Sequence, residues 1–453
     1  MSVQHAPTEL GTQKVSKLLM QYAIPAIIAM TASSLYNMID SIFIGHGVGP
    51  LAISGLALTF PLMNLAAAFG SLVGVGAATL VSVRLGQRDY DTAKAVLGNV
   101  VILNVLVGIS FTVVTLIFLD PILYFFGASD DTIGYARDYM KVILLGNVVT
   151  HLYLGLNSVI RSAGHPKKAM VATIITVLLN TALDPLFIYV FDWGIQGAAI
   201  ATVLAQIVSL TWLFVLFTNK NELIHFSKGI FRLKTKIVKD SLAIGMSPFL
   251  MNLAATFVVI LINLGLKRYQ GDLAIGAYGI VNRLTFLFIM VVMGLNQGMQ
   301  PIAGYNYGAR QYARVTEVLK LTIYWATLVT CFGFVVGMFF PHIAVSIFTT
   351  DKELLDMAAK GLRTVIIFFP IVGFQIVTTN FFQSIGLAKK AIFLSLTRQL
   401  LFLIPFLIIL PRYFGVAGVW YSMPAADFIS CVMAALMLWH QFRKFRQMGN
   451  TPI

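Results

Sequence analysis

Three aspartates stand inside long apolar stretches, where acidic side chains are rare. Two of them follow a polar residue at a spacing of four: Tyr36 precedes Asp40, and Asn180 precedes Asp184. That spacing places each pair on one face of a helix. Desolvation and mutual repulsion favour the protonated form of neighbouring carboxyl groups, so such a pair can carry a proton. The alternative is a structural role, in which amide and backbone groups satisfy both carboxyls. The third aspartate is Asp427.

The composition predicts a membrane protein. Of 453 residues, 58% are hydrophobic and only 11% are charged, whereas soluble domains carry about 25% charged residues. Twelve apolar stretches are near or above the ~20 residues that cross a bilayer as a helix. The sequence therefore predicts an all-α polytopic fold with spans at 18–44, 54–83, 91–119, 131–162, 167–191, 195–218, 239–266, 274–308, 313–340, 354–385, 389–410 and 416–440.

The basic residues predict the orientation. Most of the 32 Lys and Arg residues lie in the two tails, the central linker and the alternate loops that share one side with them. Because cytoplasmic loops are enriched in Lys and Arg, both termini are predicted to be cytoplasmic in a multi-pass protein of the cell membrane. The net charge of +14 is explained by these loops, so no nucleic-acid partner is expected. The polar start of the chain predicts a cytoplasmic tail and no removable signal peptide.

The two halves of the chain resemble each other. At one constant shift, Gly164–Ala169 aligns with Gly386–Ala391, and Leu85–Tyr90 aligns with Tyr307–Tyr312. Each half holds six spans, so the repeats should be parallel and related by a pseudo-twofold axis along the membrane normal, with a cleft between two lobes. The predicted domains are an N-lobe at 1–218, a linker at 219–238 and a C-lobe at 239–453. The linker could be an amphipathic surface helix or a solvated basic loop.

Two arginines also lie inside spans. Arg398 could form an interhelical ion pair with Asp427, which would be structural, since buried charges are normally paired. Arg283 has no acidic residue nearby in the sequence and is a candidate to face a water-filled cleft. The second half has no acids at Ile262 and Phe406, which correspond to the aspartates of the first half. The first half is therefore predicted to couple ions to transport.

These residues resemble the multidrug and toxic compound extrusion (MATE) family over essentially the whole chain, and most closely its DinF-like branch. Asn180-x-x-x-Asp184-Pro185 is the most specific local match. The other matching features are the two six-span repeats, Pro25, Tyr36, Asp40, the segment from Asn157 to Arg161, and Thr202.

The resemblance implies a hydrogen-bonded network in the N-lobe, in which cation binding is tied to bending of the first helix at Pro25. The network would consist of Tyr36, Asp40, Asn157, Asn180, Asp184 and Thr202. Sodium could bind at Asp40, Asn180, Asp184 and Thr202, and Pro25 could instead be a static kink. NorM-type members carry a glutamate in the seventh span, where this chain has Ala254–Phe257 without an acid. A C-lobe cation site is therefore not expected.

The resulting hypothesis is a secondary active multidrug exporter, which would exchange lipophilic or cationic organic compounds for H⁺ or Na⁺ by alternating access. The alternative is a lipid-linked saccharide flippase of the same superfamily, which would need a more cationic cleft. No ATP-binding GxxxxGK[ST] motif or catalytic triad is present, so neither a primary pump nor an enzyme is expected. No cofactor is expected beyond the coupling ion, and the protein should be a monomer in the lipid bilayer.

Overall fold

The computed structural model describes residues 7–449, apart from the side chains at 37, 38, 50, 272 and 449. Within these residues the protein is helical, with no β-strand. Ten helices are long and apolar enough to cross a membrane, or 12 if each of two bent helix pairs counts as one span. The predicted fold class is thus confirmed. The termini predicted to be cytoplasmic, 1–6 and 450–453, lie outside the described residues.

Apolar runs punctuated by glycine and proline form eighteen helices in the described chain, with bounds close to the predicted spans. They are α1 (Glu9–Thr12), α2 (Val15–Gly47), α3 (Pro50–Gly86), α4 (Tyr90–Ile117), α5 (Leu119–Phe125), α6 (Ile133–Leu145), α7 (Asn147–Ser162), α8 (Pro166–Pro185), α9 (Gly194–Phe217), α10 (Thr235–Gln270), α11 (Asp272–Gly308), α12 (Tyr312–Phe339), α13 (Pro341–Ser346), α14 (Lys352–Val365), α15 (Phe369–Ser384), α16 (Ala388–Leu396), α17 (Ile404–Phe414) and α18 (Val416–Gly449).

Two predicted spans are broken rather than continuous. The span predicted at 131–162 consists of α6 and α7, which meet at an angle of 54°, and that predicted at 354–385 consists of α14 and α15 at 57°. The first break lies at Gly146, where a Cβ would come within 2.5 Å of Val203. The second break precedes Pro370, which lacks the N–H of a regular helix. Both breaks occur at corresponding places in the two halves.

Two further spans contain a π-helical turn. Leu186–Val190 continues α8 directly after Pro185, and Thr397–Leu403 joins α16 to α17 just before Pro405. A proline removes one helical hydrogen bond and crowds the preceding turn, and a wider turn accommodates this disturbance. Hydropathy alone predicts continuous helices here, because each turn lies within a stretch that is long and apolar enough to cross a membrane.

The linker is neither an amphipathic helix nor a free loop. Helix α10 begins at Thr235, and the residues before it form an irregular strap on α4. The Asn99 side chain donates to the carbonyl of Arg232 at 3.0 Å and accepts from the N–H of Lys234 at 2.9 Å. Phe226 of the strap packs against other aromatic rings, with centroids 5.5–5.8 Å apart. The amphipathic-helix interpretation was therefore wrong. The linker is attached to α4 near Arg232 and Lys234 and to α9 through Phe226.

Contacts divide the chain into two compact units. Unit 1 contains the residues up to Thr12 and Ile28–Phe249, and unit 2 contains Gln13–Ile27 and the residues from Leu250 onward. These units coincide with the predicted sequence halves except for two segments: the first part of α2 belongs to unit 2, and the first part of α10 belongs to unit 1. Each helix changes unit within three residues after a proline, Pro25 in α2 and Pro248 in α10.

Glycines allow the exchanged segments to pack closely. In unit 1, a Cβ on Gly245 of α10 would overlap the carbonyl oxygen of Leu72 in α3. In unit 2, a Cβ on Gly298 of α11 would lie 2.6 Å from the Cα of Ala23 in α2. Only glycine permits backbones to approach so closely, as in other helix pairs of membrane proteins.

Candidate functional site

Two carboxyl groups lie side by side in the interior of unit 1. Asp40 of α2 is 6% exposed, and Asp184 at the end of α8 is fully buried. Their carboxyl groups are within hydrogen-bonding reach of each other. Among the described residues, Oδ1 of Asp40 has no hydrogen-bond partner. Two anions at this distance repel each other strongly, so the arrangement favours a shared proton or a bound cation.

Asn180 connects Asp184 to the next helix. Its amide nitrogen lies 3.3 Å from Oδ1 of Asp184 and 3.1 Å from the hydroxyl of Thr202 in α9. With the amide turned over, the nitrogen donates to Oδ2 of Asp184 at 3.2 Å and the oxygen accepts from Thr202. Asn180 therefore bridges the two residues in either orientation. The hydroxyl of Tyr36 reaches Thr202 from α2, so polar groups from three helices surround the carboxyl pair.

Local sequence explains this convergence. Asp184 and Asn180 lie one turn apart on α8, and Tyr36 lies one turn before Asp40 on α2. Helix α9 comes close to the end of α8 because Gly197 has no side chain: a Cβ there would lie 2.9 Å from the carbonyl group of Phe187. This close approach brings Thr202 to Asn180.

The side chain of Asn157 has its hydrogen-bond partners outside the group of residues around Asp40 and Asp184. Its side chain, on α7, donates to the carbonyl of Ala169 at 2.9 Å and accepts from Arg161 at 3.1 Å. It also lies 3.5 Å from the hydroxyl of Thr173, to which Tyr153 donates at 3.2 Å. Asn157 thus joins α7 to the first turns of α8. The structure brings together five residues of the predicted network: Tyr36, Asp40, Asn180, Asp184 and Thr202.

Sequence reasoning missed Tyr139. This residue of α6 is 2% exposed, and its ring lies close enough to Asp40, Asp184 and Tyr36 to interact electrostatically with all three. The available signal was weak: Tyr139 lies on the buried face of an amphipathic helix, beside Ala136 and Met140. A tyrosine at such a position is usually an ordinary core residue.

The donor atoms suit a proton or a hard cation. Within 7–449, no three or more His, Cys, Asp or Glu side chains form a metal-binding group. The oxygens of Asp40, Asp184, Asn180 and Thr202 are of the kind that sodium prefers, and none of them is a soft ligand. The unpartnered Oδ1 of Asp40 is consistent with either ion. Sodium binding at these four residues stays a prediction.

The remaining predicted residues have different environments. Pro25 is buried within α2, two residues before the last residue that α2 contributes to unit 2. Arg398 donates from Nε to Oδ1 of Asp427, so the predicted ion pair is confirmed. Arg283 of α11 is exposed. It has no hydrogen-bond or ion-pair partner in the described part of the chain.

Comparisons with known proteins agree with this arrangement. The MatE family model matches residues 25–186 and 248–409, one match in each half. The multidrug export protein MepA of Staphylococcus aureus (strain NCTC 8325 / PS 47) is 29% identical over 433 residues, which cover 95% of this chain and 94% of that protein.

Solved structures show the same fold. The MATE multidrug transporter DinF-BH is 35% identical and superposes with a TM-score of 0.88, covering 97% of this chain and 98% of that one. A MATE structure in the bent conformation is 25% identical and has a TM-score of 0.93, covering 99% and 100%. These relatives do not favour the flippase alternative. The chain therefore belongs to the MatE family of multidrug efflux transporters.

Proposed function

We propose that this transporter exports lipophilic organic cations in exchange for H⁺ or Na⁺, and that Asp40 and Asp184 couple the two movements. The observation that carries the proposal is the contact between two buried carboxyl groups on different helices, α2 and α8. With no cation bound, the pair holds excess negative charge in an apolar environment, which is unfavourable. A proton, a sodium ion or a cationic compound relieves that charge.

Coupling requires the ion to prefer one conformation. A ligand shifts a conformational equilibrium only through its different affinity for the two states. In this proposal the ion binds best when α2 holds Asp40 beside Asp184, and it draws α2 into that position by bending at Pro25. Helix α8 provides the fixed partner, since Asp184 is held by Asn180, which is in turn bonded to Thr202. Alternation between the two states would then move the organic compound outward.

The neighbours of the carboxyls distinguish the two ions. A proton needs only the carboxyl oxygens, whereas sodium would also use the oxygens of Asn180 and Thr202. Replacing Thr202 with valine removes one oxygen at nearly constant volume. We expect Thr202→Val to weaken sodium-driven export more than proton-driven export.

The proposal is tested by export from vesicles that contain only the purified protein. A fluorescent lipophilic cation would be followed while a pH gradient or a sodium gradient is imposed separately. The variants are Asp40→Asn and Asp184→Asn, with Asp192→Asn as the matched control. Asp192 is exposed and has a φ of 55°, a conformation that Asn adopts as readily as Asp.

We expect gradient-driven export in the wild type and in Asp192→Asn. In Asp40→Asn and Asp184→Asn, gradient-driven export should fall by at least about tenfold, which corresponds to a transport barrier ~1.4 kcal/mol higher. Full activity of Asp40→Asn under the effective gradient would contradict carboxylate coupling. The absence of export under either gradient, with intact dye binding, would contradict antiport itself.

A further inference from the structure

The strap that precedes α10 carries a basic surface with uncovered apolar side chains. Phe231 and Leu233 are each 47% exposed, whereas the adjacent Ile230 is buried. Five exposed basic residues accompany them and form what we call the basic patch: Lys228, Arg232, Lys234, Lys236 and Lys239. Across residues 7–449, the side chains of these five have no hydrogen-bond or ion-pair partner. All of them belong to unit 1.

The two acidic residues of this segment do not neutralise the basic patch, because each has another partner. Carboxylate oxygens of Glu222 lie 2.8 Å from Nε2 of His165 and 3.0 Å from Nζ of Lys168. Asp240 lies 3.9 Å from the guanidinium of Arg84. The patch therefore presents an excess of positive charge to its surroundings.

Backbone contacts fix the strap, so that its side chains remain available to a partner. The side chain of Asn99 bonds to the carbonyl of Arg232 and to the N–H of Lys234. Gly98 lets the strap approach α4, since a Cβ there would overlap the carbonyl oxygen of Ile230. A segment that is already ordered loses little conformational entropy when a partner binds to it.

The strap crosses α4 at the depth of the lipid headgroups. Helix α4 is a candidate membrane span, and it is about 12 Å longer than the ~30 Å hydrocarbon core. Gly98, where the strap crosses, lies about 12 Å from the start of α4 along the helix axis. This end of α4 is on the side that the distribution of Lys and Arg predicts to be cytoplasmic. The strap is thus placed near the boundary between headgroups and acyl chains.

The chemistry of the surface matches an anionic phospholipid. Lys and Arg side chains attract the negative headgroups of the cytoplasmic leaflet, and apolar side chains among them enter the boundary with the acyl chains. A soluble acidic partner would account for the charge of the basic patch. It would not account for Phe231 and Leu233, which lie uncovered beside a membrane span.

We propose that the strap is a binding surface for anionic phospholipids, with the basic patch on the headgroups and with Phe231 and Leu233 in the apolar boundary. The surface selects lipid by charge, because its basic side chains gain nothing from a headgroup without net charge. Lipid binding at the strap does not depend on the exchange of ions for organic compounds.

The test places a fluorescent reporter on the strap within a bilayer. Leu233→Trp adds a tryptophan at an exposed position, and subtraction of the wild-type signal removes the contribution of the native tryptophans. The purified full chain would be reconstituted in phosphatidylcholine vesicles that contain equal fractions of either brominated phosphatidylglycerol or brominated phosphatidylcholine. Bromine quenches tryptophan only at close contact, so the quenching reports which lipid lies beside the strap. Phe231→Trp provides a second reporter, and thermal unfolding checks that each variant folds.

Two triple variants would be compared in the reporter background. The charge variant removes three positive charges from the basic patch, by Lys228→Gln, Arg232→Gln and Lys234→Gln. It leaves the backbone groups that bond to Asn99 in place. The matched control removes three exposed positive charges from unit 2, by Lys352→Gln, Lys360→Gln and Arg412→Gln.

We expect brominated phosphatidylglycerol to quench the added tryptophan at least about twofold more than brominated phosphatidylcholine. This preference should disappear in the charge variant, persist in the control and weaken at high salt, which screens exposed charges. Equal quenching by the two lipids, or a preference that the charge variant keeps, would overturn the proposal. The absence of quenching by either lipid would also overturn it and would leave the basic patch to a soluble acidic partner. Each result is independent of transport and thus of the antiport test.

Discussion

The charged residues inside the spans differ in whether a counter-charge accompanies them. Asp40 and Asp184 lie beside each other with no basic partner in their hydrogen bonds. Arg398 and Asp427 neutralise each other between the π-helical turn and α18. At the shift of the repeat, Arg398 corresponds to Thr176 and Asp427 corresponds to Ala205, so the first half has no equivalent ion pair. Since the two charges neutralise each other, we expect the role of the pair to be structural.

We expect single substitutions of this pair to destabilise the protein more than the double substitution. Arg398→Met or Asp427→Leu alone leaves a buried charge without its partner, which costs ~3–5 kcal/mol, whereas replacing both with apolar residues is often neutral. Thermal unfolding in detergent would measure the three variants, with export as a second readout. The double variant should keep gradient-driven export. Equal stability of the double variant and the worse single variant would show that the charges do more than neutralise each other.

Residue types and spacing were enough to find most of the candidate site. Helical periodicity placed Tyr36 with Asp40 and Asn180 with Asp184, because these pairs lie one turn apart on single helices. The position of Asn157 could not be predicted, since its contacts depend on how α7 meets α8. Tyr139 lies near the carboxyls of Asp40 and Asp184, and its helix, α6, meets α7 at an angle of 54°. Contacts between helices depend on such bends, which no local pattern specifies.

At the scale of elements, an ion pair fixes α5 to α6. Arg137 donates from Nε and Nη2 to the two carboxylate oxygens of Asp120, each at 2.8 Å. These hydrogen bonds hold the pKa of Asp120 below its usual value. A depressed carboxyl pKa stabilises the folded state above the unfolded pKa of about 3.9, and that contribution disappears as the pH falls through the folded pKa.

We therefore expect Asp120→Asn to lower the melting temperature at pH 7 but not at strongly acidic pH. The pair is partly exposed, so the effect should be small. Thermal unfolding of the wild type and the variant would be compared at pH 7 and at the lowest pH that the protein tolerates. Asp131→Asn, an exposed acid on the same connection, provides the control. A difference that stays constant across this range would show that Asp120 does not act through its charge.

Close packing of the exchanged segments leads to a second prediction about elements. Gly245→Ala would place a Cβ against the backbone carbonyl of Leu72, which cannot move aside as a flexible side chain would. Gly279→Ala, on α11, adds the same methyl group where no atom lies within 4 Å. We expect Gly245→Ala to lower the melting temperature clearly and Gly279→Ala to leave it unchanged or slightly raised, since alanine favours the helix. Equal behaviour of the two variants in thermal unfolding would contradict the close approach of α3 and α10.

Hydropathy predicted where the spans lie but not their internal irregularities. The ends of α2, α3 and α4 agree with the predicted spans within a few residues, because glycine, proline and polar residues mark them. The break at Gly146 and the turn after Pro185 were not predicted. A window of apolar residues has the same mean hydropathy whether the helix is straight or broken, so these features follow from packing and missing backbone donors.

At the scale of the whole molecule, the boundary between the two sequence repeats does not coincide with the boundaries of the two compact units. The repeat divides the chain at the linker, yet the first part of α2 packs with unit 2 and the first part of α10 packs with unit 1. The family model begins its two matches at 25 and 248, the prolines at which these helices change unit. In each of these helices, the first segment packs closely at a glycine. A proline follows, and the rest of the helix belongs to the other unit.

This arrangement predicts unequal roles for the two prolines. Pro25→Ala restores an N–H that can donate to the carbonyl of Gln21 and stiffens α2, the helix that carries Asp40. We expect gradient-driven export to fall by roughly tenfold, which corresponds to ~1.4 kcal/mol on the conformational step, while dye binding stays intact. Pro248→Ala should have a smaller effect, because the part of α10 that follows carries no acid to which an ion could bind. Pro61→Ala, within α3 and wholly inside unit 1, is the control for removing a helix proline. Wild-type export rates in Pro25→Ala would show that Pro25 is a static kink, and ion binding would then have to act on another element.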